Sequence, residues 1–166
     1  MKYLKALKVT LPVMLATLML SIAGSMSTAS AATTYWTYED RFEDNCLAAS
    51  PITSNVWSDD CSSTVIHVYD WYWGNGFQTV DGVTYRALIS RANDKCLTTD
   101  NKTSNNALWT STCDGGDQWW NGDFNNLRNL NGNYLRTSGN GNAVYASPYY
   151  VGVEFDRFYW EGYRHS

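Results

Sequence analysis

Lysine nearly disappears after the first eight residues: only Lys95 and Lys102 follow Lys2, Lys5 and Lys8. Histidine is reduced to His67 and His165, and no C-x-x-C pair occurs among the four cysteines. These absences exclude whole classes of function. A chain so poor in cations repels phosphate backbones and anionic lipid, so neither nucleic acid nor a membrane surface is expected as a partner. Without paired cysteines or a histidine cluster, no zinc site is expected, and the metal assignment is none. No phosphate loop or dinucleotide motif is present, so no cofactor is expected. After the first 31 residues there is no second long apolar run and no window with helical apolar spacing.

The N-terminal segment has the form of an export leader. Three lysines precede an apolar stretch from Val9 to Ala23, and small residues end in Ala29-Ser30-Ala31, an A-x-A cleavage pattern. Residues 1–31 are therefore expected to be a secretory signal peptide and 32–166 a single secreted, extracellular domain. The leader holds three of the 12 basic residues and none of the 16 acidic ones, so the remainder carries 9 − 16 = −7 with neutral histidines.

The rest of the chain is built from one unit used three times. R-x-x-D-x-C-L occurs at Arg41–Leu47 and again at Arg91–Leu97. An apolar residue and a tryptophan follow each, Val56-Trp57 and Leu108-Trp109, with Cys61 and Cys113 four residues later. Tryptophan-rich clusters close the units, Trp71-Tyr72-Trp73 and Gln118-Trp119-Trp120. A third copy reads Tyr134-Leu135, then Val144-Tyr145, Tyr149 and finally Phe158-Tyr159-Trp160. Tyrosine replaces both cysteines together, as if an aromatic pair had refilled a lost disulfide. Export favours oxidised cysteines, and of three connectivities the repeat selects Cys46–Cys61 and Cys96–Cys113.

Strand formers cluster at 35–38, 84–89 and 145–146, separated by Asn, Asp, Gly and Ser turns such as Asp81-Gly82 and Asn131-Gly132. A unit of about four short strands cannot bury its own apolar face, whereas three can close around a shared axis. The expected fold is all-β, a β-trefoil of three pseudo-repeats over approximately 35–80, 84–123 and 124–166.

The order C-L, apolar-aromatic, Cys, Q-x-W resembles the ricin-B-type lectin repeat, most fully from Cys96 to Trp120. That resemblance implies a carbohydrate-binding function, with up to one shallow sugar pocket per repeat. It implies that the Q-x-W tryptophans, carried here to Trp73, Trp120 and Trp160, are core residues. The galactose-binding pattern departs here in every copy. The usual acid two residues past the first cysteine is replaced by Ala48, Thr98 and Arg136, and the stacking aromatic two before the second by Asp59, Ser111 and Ser147. The middle copy keeps the best set of sugar-binding candidates: Asp117, Gln118, Trp109 to stack, and Asp100 to replace the missing acid. For Gln118 a bracing role in the fold is the competing reading, and for Trp109 core packing.

No enzyme is expected. His165 is the penultimate residue, and His67, in a strand-like run, reads as a structural histidine. Adjacent carboxylates such as Asp59 and Asp60 read as a solvated loop. The expected function is a secreted carbohydrate-binding module acting on a glycan or glycoprotein, alone or as the binding subunit of a toxin or enzyme complex with another secreted protein. The alternative is a protein-binding trefoil, an inhibitor or interaction partner, whose sugar pockets are degenerate.

Overall fold

The computed structural model describes residues 32–139, 142–149 and 152–166; the expected signal peptide lies outside the described residues. Residues 32–166 form one unit. Four strands come from each copy. They are β1 (Tyr35–Asp40), β2 (Cys46–Ala49), β3 (Val56–Asp59) and β4 (Trp71–Val80); β5 (Val83–Ser90), β6 (Lys95–Thr99), β7 (Asn106–Ser111) and β8 (Trp119–Asn121); and β9 (Arg128–Asn129), β10 (Tyr134–Thr137), β11 (Val144–Ser147) and β12 (Trp160–His165).

The outer strands of each copy pair with one another as β12–β1–β4–β5–β8–β9, all antiparallel, and build a barrel wall. The inner strands form hairpins β2–β3, β6–β7 and β10–β11. Those hairpins join across the axis through the β7–β11 ladder and the bridges Asn55–Trp109 and Trp57–Ala143. This is the β-trefoil, with both expected disulfides present and closing loops of 15 and 17 residues. In the chain-entropy model each contributes about 3 kcal/mol.

The repeat is visible in backbone detail. The residue two before Cys46, Cys96 and Tyr134 takes a left-handed conformation in each copy: Asp44, Asp94 and Gly132. That turn reverses the chain from the barrel wall into the hairpin. Asp tolerates the conformation at modest cost, and glycine at none. In the third copy the Tyr134 and Tyr149 rings stack with centroids 4.0 Å apart, and Phe158 packs edge-on against Tyr149 at 4.7 Å. Aromatic stacking thus occupies the place of the third disulfide.

Period-two alternation sets the core. Leu47, Leu97 and Leu135 are fully buried, as are Trp71, Trp120 and Trp160. Each indole N–H donates to the carbonyl of a leucine: Trp71 to Leu47 at 2.9 Å, Trp120 to Leu97 at 2.9 Å and Trp160 to Leu135 at 3.2 Å. A second ring of Tyr38, Leu88 and Leu127 packs against them. Burial pushes the Tyr38 phenol well above its usual range, partly offset by a hydrogen bond from Trp73.

One expectation is corrected here. The core tryptophan of the first copy is Trp71, and Trp73 is half-buried two residues along the same strand face. The physical reason is the bond to Leu47, which only the first of the two indoles reaches. Trp71→Ala and Trp120→Ala should each cost roughly 3–5 kcal/mol in urea denaturation, and Trp73→Ala clearly less. Equal losses for Trp71 and Trp73 would contradict the assignment.

Candidate functional site

The middle copy presents a polar cradle between its hairpin and the 3-10 turn at Gly116–Gln118. The β6–β7 register pairs Thr98 with Trp109 and Cys96 with Ser111, so these four side chains share a face. Gln118 closes that face from the side. Its Oε1 accepts from the backbone N–H groups of Asp114 and Gly115, both at 3.0 Å. Its Nε2 donates to Thr98 Oγ1 at 3.1 Å, Ser111 Oγ at 2.8 Å and the Thr112 carbonyl at 2.7 Å. Gln118 is buried and its amide is used up inside the fold. The structure therefore places it as a brace beneath the cradle, and the ligand contact expected from the sequence gives way to that role.

Asp117, one residue earlier, points the other way and is exposed. Its Oδ1 accepts from Asn101 Nδ2 at 3.0 Å and from Asn131 Nδ2 at 3.5 Å. Asn101 Oδ1 in turn accepts from Asn129 at 2.8 Å and Asn133 at 3.0 Å. The result is a ring of amides around one carboxylate, drawn from the loop after β6 and from the turn after β9. Composition alone could not reveal this cluster, because its members are up to 32 residues apart. Asp100 lies at the start of the same loop, half-buried, with Lys102 Nζ 3.7 Å from its carboxylate. Trp109 is half-buried on the cradle face, its backbone bridged to Asn55 of the first copy. Asp117 thus bonds Asn101, the residue after Asp100, while Trp109 stands opposite Thr98 on the hairpin face.

The corresponding places in the other copies are filled. In the third, Arg136 is buried beside the Tyr145 ring at 5.4 Å, and its guanidinium bonds Ser147, the Thr137 carbonyl and Asn105. Arg157, at the position of Asp117, pairs with Glu43 and donates to the Ser138 carbonyl. In the first, Ala48 faces Trp57, whose indole N–H donates to Asp59 at 3.2 Å. Tyr69 takes the bracing role of Gln118: its hydroxyl accepts from the Ser63 N–H at 2.9 Å.

The remaining polar cluster centres on Asp70. His67 Nδ1 lies 2.8 Å from Asp70 Oδ2, Arg91 3.1 Å from the same oxygen, and His165 Nε2 3.5 Å from Oδ1. Thr37 Oγ1 approaches His165 through that same Nε2 at 3.1 Å. A nucleophile relay needs opposite ring nitrogens, so this arrangement ties strands together and does not form a triad. Among the described residues no group of three or more His, Cys, Asp or Glu could hold a metal ion, and no helix is long and apolar enough to cross a membrane.

No protein-family model matches the chain, and neither does any curated protein. Solved structures do. The earthworm R-type lectin C-half in complex with GalNAc aligns with a TM-score of 0.57 at 12% identity, covering 80% of this chain and 99% of that one. The designed three-fold symmetric protein ThreeFoil gives 0.58 at 19% identity, covering 77% and 96%. The GlcNAcα1-4Gal-releasing endo-β-galactosidase from Clostridium perfringens gives 0.62 at 11% identity, covering 80% of this chain and 33% of the enzyme. At these identities the likeness is one of fold.

Gln118→Ala should lower stability by about 1–3 kcal/mol, because it removes five hydrogen bonds made by a buried amide, including the acceptor of the Gly115 N–H. Asp117→Ala, at an exposed position, should cost about 1 kcal/mol or less. Thermal melts of the two variants check the division into brace and contact residue.

Proposed function

We propose that residues 32–166 act as a secreted carbohydrate-binding module whose live site is the cradle of the middle copy. The observation that carries this reading is the exposed Asp117 carboxylate, held by the side-chain amides of Asn101 and Asn131. A pyranose has one C–H face for an aromatic ring and a rim of hydroxyls that need fixed acceptors and donors. Trp109 would take the face. Asp117 and its asparagines would take the rim, with Asp100 as the second acid. Because Gln118 is committed to the fold, the hydrogen bonding falls to Asp117, Asn101 and Asn131.

The first and third copies do not support sugar binding of the same kind, since Trp57–Asp59 and Arg136–Tyr145 occupy those places. A single-site module is therefore the favoured form. Solved proteins of the same fold include a lectin domain with bound GalNAc, which supports the ligand class. The match to 33% of a longer endo-β-galactosidase chain supports a role as the binding part of a larger assembly.

A protein-binding trefoil is the second reading. Phe77 and Phe124, 64% and 92% exposed, favour it. A glycan array separates the two. Binding to some glycan, lost in Asp117→Ala with the melting temperature unchanged, is the expected outcome. Silence across a broad array together with a co-purifying protein would support the second reading.

A further inference from the structure

A separate cavity of about 410 Å³ opens at the barrel end away from the hairpins, lined by Trp36, Trp73, Arg86, Thr84, Asn121 and Asp123 above the buried Trp120. Its volume falls in the range of small-ligand sites, about 300–1,000 Å³. Alternation along the strands explains how it arises. Trp71 and Trp73 of β4 share a face, as do Leu88, Arg86 and Thr84 of β5. Trp71 and Leu88 fill the barrel; Trp73, Arg86 and Thr84 continue the same inward face past its mouth. The β4–β5 hairpin is long enough to carry them there because its ladder runs on to Val80 and Val83 around a bulge between Trp73 and Phe77.

Three features distinguish this mouth from an incidental gap. First, the Arg86 side chain makes no hydrogen bond or ion pair among the described residues. In an acidic protein that pairs Arg41, Arg91 and Arg157 with carboxylates, a cation beside a tryptophan-lined cavity is available to a ligand. Second, the Asp123 carboxylate is held in place: Asn121 Nδ2 donates to its Oδ2 at 2.8 Å, and the Asp123 N–H donates back to Asn121 Oδ1 at 3.1 Å. Asn121 is itself anchored by donating to the Thr84 carbonyl at 2.9 Å. Third, the chain carries glycine where the Trp73 ring passes: a Cβ on Gly122 would stand 2.8 Å from Trp73 Cζ2.

We propose that this mouth binds a pyranose bearing a carboxylate, at a site distinct from the middle cradle. The two half-buried indoles offer apolar surface to the sugar's C–H face. Arg86 presents a planar fork suited to a carboxylate. Asp123 and the second lone pair of Asn121 Oδ1 accept from ring hydroxyls. A flat aromatic acid would satisfy Arg86 yet leave those acceptors without donors. A cationic ligand would meet the guanidinium.

The test uses residues 32–166 with methyl β-D-glucuronide, methyl α-D-galacturonide and N-acetylneuraminic acid as probes, methyl β-D-glucoside as the neutral control and glucosamine as the cationic one. Binding is followed by the indole N–H resonances of Trp36 and Trp73. Saturable shifts with at least one acidic sugar are expected, with the uronides and the nonulosonic acid telling the two sources apart. Arg86→Ala should weaken binding roughly 10- to 100-fold, the range lost with a charge-assisted pair. Gly122→Ala should weaken it by displacing Trp73. Asp117→Ala should leave it unchanged, which separates this site from the cradle. The proposal is overturned if no acidic probe shifts these resonances at 20 mM, if the neutral or cationic sugar binds as well, or if a folded Arg86→Ala variant binds like the parent.

Discussion

Three hydrogen bonds of one kind organise this protein: an indole N–H donated to a leucine carbonyl in each copy. Each joins the closing strand of a unit to the opening of its hairpin, across 24, 23 and 25 residues. Burying three tryptophans at the axis supplies the apolar contact. Their N–H groups need acceptors there, and the leucine carbonyls supply them. Fixing the indoles thereby fixes where each hairpin leaves the barrel wall. The cradle of the middle copy inherits its geometry from Trp120, because Gln118 sits two residues before it and can reach Thr98 and Ser111 only when that ring is seated.

Much of this was legible from spacing. The threefold unit, both disulfides and the tyrosine pair replacing the third follow from landmarks at fixed intervals, and such intervals survive heavy substitution. The core role of Trp120 and Trp160 was legible through the resemblance to the ricin-B-type repeat, and both indoles are buried. Trp73 was not: Leu47 to Trp71 is 24 residues and Leu47 to Trp73 is 73 − 47 = 26, and the other copies span 23 and 25. Spacing alone leaves the two indoles ambiguous, since both point to the same face. The distinguishing signal was Tyr69, a hydrogen-bonding side chain two residues before Trp71, as Gln118 is before Trp120. The asparagine ring around Asp117 was hidden for another reason. It is assembled across two copies by tertiary packing, and no local pattern marks its members.

The copies have diverged where sequence symmetry would suggest equivalence. One cradle keeps an open carboxylate, one closes on an indole–carboxylate pair, and one is occupied by two arginines that bind neighbouring loops. Arg136 reaches Asn105 and Arg157 reaches Glu43, so the third copy clasps both others. Loss of a third disulfide is thus accompanied by polar cross-links from Arg136 and Arg157 to the other two copies. The extended β4–β5 hairpin breaks the symmetry again, and the barrel mouth with Arg86 exists only because of it.

The ladder between β1 and β12 pairs six residues at the start of the domain with six at its end, from Tyr35 with His165 to Asp40 with Trp160. Loop closure over such a span is entropically the dearest step in the topology. During synthesis β1 must therefore wait, with the edge that takes β12 unpaired, until residues 160–165 emerge. Both cysteine loops are short and local, and neither needs that ladder in order to close. Covalent closure of the first two copies is thus independent of barrel closure, whereas the Tyr134–Tyr149 stack lies in the copy whose β12 completes the wall.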